Sequence, residues 1–419
     1  MSARQGCPAS HGFDPLDASY TVDPFPVLAR LRAESPTFYA SELDMWVVTR
    51  YRDVERILKD TERFSGANTQ RPAFPLGPRA SEIVATGSPT TPTLSNGPEP
   101  KHGRVRSHCL KAFSARRLAR LEPVIQERAE ELVDRMLTQH RFDIVQKLTY
   151  PLPASIVFAL IGFPREDWSR LKSLAADRML FTWGRPTANQ QVAVARRMSE
   201  YWTYCTEFVD RQLAYPEDCF TGDLARSHHD DPEALTADEI TNVVHAVSFA
   251  GHETTTSVAT SAIMRLMRHR EQWDALCEDP HLIPQAVEEA LRYDPALFTW
   301  RRVTTVDDAD LGTTRVPAGT PVLLVIGSAN HDETQFDAPD AFNIRREGAR
   351  RHLTFGKGGH YCFGAPLARM EIAAMLATLS ARAPGLRLSE DQEPPFHVNL
   401  VFHGPSELFL ERDRGAART

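Results

Sequence analysis

Apolar positions along this chain recur mostly at helical spacing. Asp23 to Arg32 reads as a short amphipathic helix, and Met45 to Arg50, rich in β-branched and aromatic residues, as a strand. A further helix begins within Asp53 to Leu58. Gly66 to Pro100 is crowded with Pro, Gly, Ser and Thr and keeps no clear period. We read it as a long mobile loop, of the kind that serves as a lid or binding loop. From Lys101 to about Arg268 helical periodicity dominates. Its clearest helix starts at Thr236, where Glu239 completes a capping box, and runs to about Arg268. At about 1.5 Å per residue it is roughly 50 Å long, enough to cross the whole molecule. Another helix spans Pro284 to Tyr293, short strands and turns alternate over Thr299 to Asp332, and a last helix follows Gly364. There is no internal repeat and no strand–helix alternation. The pattern predicts a mainly α fold with a minor β part rather than a doubly wound sheet.

Composition narrows the function classes. The 419 residues are 42% hydrophobic and 25% charged, as in a globular protein. That length suits one large domain or two closely joined units. The formal net charge of −7 speaks against a broad basic footprint for nucleic acid. No apolar stretch follows the N-terminal charges, and no run of roughly 20 apolar residues occurs, so neither a signal peptide nor a membrane span is expected. Six cysteines are scattered without a Cys-x-x-Cys pair. That spacing signals neither a zinc site nor a disulfide framework, and a cytoplasmic protein with reduced thiols is the simplest reading.

Three segments carry candidate chemistry. Phe355-Gly-Lys-Gly-Gly-His-Tyr-Cys362-Phe-Gly364 sets a cysteine in a glycine-rich loop just before a helix beginning near Ala365 and Pro366. Backbone N–H groups and the dipole at a helix N-terminus stabilise a thiolate, and His360 and Lys357 add positive charge. Glycines let the backbone approach a flat ligand closely. At the centre of the long helix, Ala250-Gly-His-Glu253-Thr254-Thr255 interrupts an apolar run with polar groups. Ser/Thr bonding to the previous turn can produce such an interruption without any function. Glu289-Ala-Leu-Arg292 places an acid and a base three residues apart, which by itself is an ordinary intrahelical pair.

Together these motifs resemble the cytochrome P450 family: its cysteine signature, its Ala/Gly-Gly-x-Asp/Glu-Thr-Thr/Ser oxygen-binding motif and its Glu-x-x-Arg. The resemblance spans roughly Asp14 to Leu410. Trp46-Val-Val-Thr-Arg-Tyr51, Thr182-Trp-Gly-Arg-Pro186 and Ser328-Ala-Asn-His-Asp-Glu333 are most similar to the haem domains of self-sufficient fusion enzymes. It implies the P450 fold, with residues 1–419 as a single haem domain, 1–12 disordered and 66–100 a long substrate-side loop. Haem b would lie between the long helix and the helix after the cysteine loop. Cys362 would be its axial ligand, with Phe355, Gly356, His360 and Gly364 shaping the loop. Ala250 and Gly251 would leave room for O2, and Glu253 and Thr254 would deliver protons. His252 would either join that relay or be a surface or internally satisfied histidine. Glu289 and Arg292 would be joined by Arg346, or alternatively Arg345. The haem propionates would meet His102, Arg106, Arg302 (or Arg301) and His352. By position, substrate would contact Leu94, Phe181, Trp183, Ala246, Phe249, Phe298, Thr299 and Phe402, each equally readable as core.

The implied reaction is monooxygenation of a medium-sized, mostly apolar organic molecule in bacterial secondary metabolism or catabolism. A monomer would draw electrons from an external ferredoxin and ferredoxin reductase supplied by NAD(P)H, with no membrane or nucleic-acid partner. No flavin or iron–sulfur segment follows the cysteine loop. Arg104, Lys111, Arg116 and Arg117 could dock an acidic ferredoxin, or be plain solvated helix charge. Other outcomes stay open: peroxygenation, nitration, ring closure or C–C coupling on the same haem, a haem-based sensor, or a colourless hydrolase using Cys362 as nucleophile.

Overall fold

The computed structural model describes residues 12–390 and 392–412. Apart from Gly12, the stretch 1–12 expected to be disordered lies outside the described residues. The chain divides into two compact units. One comprises Met1–Ser65, Val124–Leu152 and Thr254–Thr419, taken over their described residues, and the other Gly66–Pro123 and Pro153–Glu253. Helices dominate both, and all the strands among the described residues are short and belong to the first unit.

In that first unit a five-stranded sheet runs in the order Thr37–Ala40, Met45–Val48, Pro321–Val325, Thr299–Thr304, Phe64–Ser65. Met45–Val48 pairs parallel with Pro321–Val325 (Trp46 opposite Val322), and the other pairings are antiparallel. The predicted Met45 strand is therefore an inner strand of the sheet, which suits its Val-rich sequence. Helix Tyr51–Lys59 packs Tyr51, Val54, Ile57 and Leu58 into the core formed with Val48, Val322 and Leu324. It starts ahead of the expected position because the Asp332 carboxylate accepts from Tyr51 N–H at 2.8 Å, a cap supplied from far along the chain. Over Thr299 to Asp332 the strands are as expected, but Ile326–Ala329 is a short helix. Gly327 lies so close to the Phe298 ring that a Cβ would collide with it.

In the second unit, the stretch read as a loop contains helix Pro78–Gly87. Its buried side follows a helical period (Ala80, Ile83, Val84) that the flanking Pro, Gly and Ser residues mask. Ala80 packs with Phe181, Val194 and Ala195, against helix Ala188–Ala214, and Gly87 makes room for Ser199. The rest of the stretch is pinned: Thr91 N–H donates to Asn242 (2.7 Å), and Thr69 C=O accepts from the Trp183 indole (3.1 Å). The helix and these tertiary contacts, invisible to local pattern, interrupt the stretch read as one loop.

The long helix is Ala237–Arg268, and it contributes residues to both units. Its capping box is formed as expected: Thr236 N–H donates to Glu239 (3.0 Å), and Glu239 N–H to the Thr236 hydroxyl (3.2 Å). Arg104 holds the same carboxylate in a two-pronged pair at 2.6 and 3.0 Å. Burial pushes the Glu239 carboxyl up, but these donors outweigh it and bring it down to about 2.

Candidate active site

The cysteine loop is held open by backbone geometry. Gly356 and Gly358 adopt φ of +71° and +70°, conformations that side chains rarely tolerate. A Cβ on Gly358 would also sit 3.0 Å from Lys59 Cα. Cys362 N–H donates to Phe355 C=O at 2.9 Å, closing the loop, and Ala365 N–H reaches Cys362 C=O at 3.4 Å. Helix Ala365–Arg382 follows, with Pro366 in its first turn. Among the described cysteines only Cys362 is exposed, and it lies just before a helix N-terminus. Phe355 is fixed from behind by the Arg369 guanidinium, 4.6 Å from its ring centre.

Two adjacent acids on helix Ile283–Tyr293 support this loop. Glu289, fully buried, binds Arg292 at 2.7 and 2.9 Å and Arg346 at 3.1 Å to both oxygens. Arg346 is thus the third member, while Arg345 is exposed. Arg292 and Arg346 also donate to carbonyls of Asn330, Ala338 and Ala341, so one charge cluster ties down the preceding chain. Asn330 continues the network: it accepts from Leu353 N–H (2.8 Å) and donates to Thr354 (3.0 Å), just before Phe355.

Glu288, which the sequence reading passed over, anchors a second cluster. It accepts from Arg369 (2.7 and 3.1 Å), Arg350 (3.2 Å) and His352 Nε2 (3.2 Å). Burial alone would raise its carboxyl, but His352 and Arg369 carry it down to about 2. Burial pushes His352 down, favouring a neutral ring that donates from Nε2 and accepts Thr354 N–H on Nδ1 at 3.2 Å. Both ring nitrogens are committed. His352, expected to face a propionate, holds Glu288 instead. The doubled Glu288-Glu289 beside the later arginines was the signal for this cluster.

Arg302 and Arg301 are both buried on strand Thr299–Thr304, and desolvation pushes each guanidinium down to about 10. Either is a buried cation suited to a carboxylate. In the second unit, His102 is buried with Nδ1 2.8 Å from Glu99, which also accepts Gly103 N–H. Half-buried Arg106 lies one turn on along helix Lys101–Ala112.

On the long helix, Ala246 and Thr254 are half-buried and Ala250 is exposed, at successive i+4 spacing, while most of the helix is buried. These positions are less buried than most of their neighbours on the helix. Gly251 answers a packing demand: its Cβ would sit 2.5 Å from Val157 Cγ2. His252 is fully buried, donating from Nδ1 to Ser248 C=O at 2.7 Å, with Nε2 3.2 Å from Glu253. Thr256 donates to Thr149 C=O at 3.0 Å. Glu371, a lone acid in an apolar stretch of helix Ala365–Arg382, was also missed. Burial raises its carboxyl well above the usual range, against the opposing Thr255 hydroxyl.

The substrate candidates separate. Phe181 belongs to the core with Ala80 and Val194, and Phe298 packs on Phe25 (6.0 Å) and His403 (4.7 Å). Thr299 spends its hydroxyl on Leu400 C=O at 2.5 Å, and Phe402 bridges Leu297. Trp183 and Phe249 lie 6.3 Å apart in the second unit, where Ala246 and Leu94 are half-buried.

The family model for cytochrome P450 matches residues 28–382. Nocardicin C N-oxygenase of Nocardia uniformis subsp. tsuyamanensis is 33% identical, over 94% of this chain and 97% of its own. The solved structure of cytochrome P450 CREJ in complex with (4-ethylphenyl) dihydrogen phosphate is 36% identical, with a TM-score of 0.93, covering 97% of this chain and 100% of that one. An intact type IV self-sufficient cytochrome P450 monooxygenase is also 36% identical (TM-score 0.94), covering 99% of this chain and 55% of that longer one. The chain belongs to the cytochrome P450 family, has its fold, and is a P450 monooxygenase. The family implies haem, and the residues fit it: an exposed cysteine just before a helix N-terminus and a buried cation at Arg302. Among the described residues no helix is long and apolar enough to cross a membrane.

Proposed function

We propose that residues 1–419 act as one haem domain that hydroxylates or otherwise oxidises a medium-sized, mostly apolar organic molecule in bacterial secondary metabolism or catabolism. The carrying observation is exposed Cys362, held just before a helix N-terminus by a loop anchored through Glu289, Arg292 and Arg346. The Cys362 thiolate would hold haem b, which when bound would supply the activation of O2. Phe355 and the Gly356 turn hold the sulfur in place. Arg106 and Arg302 would offset the charge of the haem propionates, with His102 as a further hydrogen-bonding partner. Thr254 donates its hydroxyl hydrogen bond from one of the less buried positions of the long helix, and Glu253 passes protons to it.

Electrons come from a separate ferredoxin and its NAD(P)H-dependent reductase, and the protein works as a cytoplasmic monomer. Of the four cations considered for docking, Arg104 is committed to Glu239, and Arg117 to Asp218 and Asp223. Lys111 and Arg116, exposed beside Leu110 (47% exposed), are the docking charges. The relatives support an organic substrate with a polar or acidic end: CREJ is complexed with an aryl phosphate, and nocardicin C N-oxygenase is named for oxidation at nitrogen.

A reduced-plus-carbon-monoxide difference spectrum of the purified protein tests the core of this reading. The red-shifted Soret band of thiolate ligation is expected in the wild type and absent from Cys362→Ser. A protein that takes up no haem refutes it.

A further inference from the structure

Arg178 opens helix Arg178–Trp183 in the second unit. The chain reaches it through Asp177, a non-glycine residue at φ +63°, whose carboxylate is held by Arg197 at 2.8 Å. This break between two short helices sends the Arg178 side chain inward, where it is 9% exposed. Its guanidinium lies over the Phe249 ring, 4.5 Å from the centre. Nε and Nη1 are buried and have no hydrogen-bond partner among the described residues. An arginine almost always satisfies its donors when buried, so this one is arranged for something else.

Its neighbours share the pattern. His245 stands one helical turn before Phe249, on the same face of the long helix, and is 3% exposed. Its Nε2 is likewise buried without a hydrogen-bond partner. Tyr201 of helix Ala188–Ala214 packs edge-on against His245 at 5.6 Å, bringing a phenol to the same place. Burial pushes the Arg178 guanidinium down to about 10 and the His245 imidazole well below its usual range, with Arg178 adding to the effect on His245. Glu253 is near enough to be felt by Arg178, but no ion pair joins them, and Glu253 lies against His252 instead. Among the described residues, no carboxylate is hydrogen-bonded to Arg178 Nε or Nη1 or to His245 Nε2.

We propose that Arg178, with His245 and Tyr201, forms an oxyanion subsite, so that the substrate carries a carboxylate or phosphate monoester on its apolar body. The Phe249 face would receive that body, and the anion would complete the donors of Arg178. This deepens the monooxygenase reading and rests on it.

The test uses the holoenzyme, after its thiolate spectrum has been verified. Soret shift and calorimetry follow titrations with 4-ethylbenzoate, phenyl phosphate and neutral 4-ethylbenzyl alcohol. One or both anions should bind the wild type roughly 30-fold more tightly than the alcohol, the scale of losing one partner of a buried charged contact. The two anionic arms separate a carboxylate from a phosphate site. Arg178→Gln should abolish the preference and Arg178→Lys retain part of it. Without ligand, Arg178→Met should melt above the wild type, because a buried unsatisfied charge is removed. The proposal is overturned if neither anion binds, if the alcohol binds as well, if the preference survives Arg178→Gln, or if Arg178→Met melts lower. A missing thiolate band would fail the family-level reading instead, before any titration.

Discussion

At the scale of single residues, the proton-delivery pair is the most exposed to test. Thr254 and Glu253 are both half-buried on the long helix, and Glu253 is steadied by His252 at 3.2 Å. Thr254→Ala should leave the carbon monoxide band intact yet lower the product formed per NAD(P)H consumed. Glu253→Gln should lower kcat by about 100-fold, the usual worth of a positioned acid or base. Full coupling in Thr254→Ala would instead show that this hydroxyl is not needed for proton delivery. Two carboxyls then make opposite predictions with pH. Glu288 is held at about 2, below its ordinary 4.5. Its stabilisation is present above 4.5 and is lost as pH falls toward 2. Glu371 is raised above 4.5, so the fold favours its neutral form. That contribution is full below 4.5 and is lost as pH rises toward its folded value. Thermal melts over a pH series should therefore show Glu371→Gln flattening the alkaline side and Glu288→Gln flattening the acid side.

At the scale of elements, close approach governs residues that looked chemical. Gly251 sits in the oxygen motif, yet its missing Cβ is required by Val157 on helix Pro151–Ile161. Gly251→Ala should cost about 1–3 kcal/mol through overpacking, read as a lower Tm. Val157→Ala in the same chain should recover part of that loss, and a double-mutant cycle measures the coupling. The helix Pro78–Gly87 teaches the complementary lesson. Its apolar positions have helical period, but Pro, Gly and Ser crowd both sides, and only the surface offered by Val194 and Ala195 selects the helix. Tyr51 likewise begins its helix because Asp332 arrives to cap it.

At the scale of the whole molecule, the buried Glu289–Arg292–Arg346 cluster is the tie between the chain before the cysteine loop and helix Ile283–Tyr293. Arg346→Ala leaves Glu289 buried with one partner fewer and should cost about 3–5 kcal/mol. Denaturant melts and haem content per mole of protein would register it together. Electron supply is tested by Lys111→Glu combined with Arg116→Glu. Reduction by an acidic ferredoxin should slow, and its salt dependence weaken, while thermal stability stays within about 0.5 kcal/mol because both residues are exposed. An unchanged reduction rate would remove that surface from consideration.

The sequence alone determined the features that local chemistry dictates. Helical period, the Thr236 capping box and the glycine turns around Cys362 depend on neighbours within a few residues, and each is formed as read. Spaced motifs identified the family because the cysteine loop, the oxygen motif and Glu289-x-x-Arg292 each keep a fixed internal spacing. Only the tertiary structure decided which partner each long side chain takes. His352 goes to Glu288, Arg346 rather than Arg345 reaches Glu289, and Phe181 and Phe298 are spent on packing. Burial then sets Glu371 and Arg178 apart from their exposed counterparts, and the donors His352 and Arg369 do so for Glu288, since both effects depend on what surrounds a charge in space and not on what precedes it in the chain.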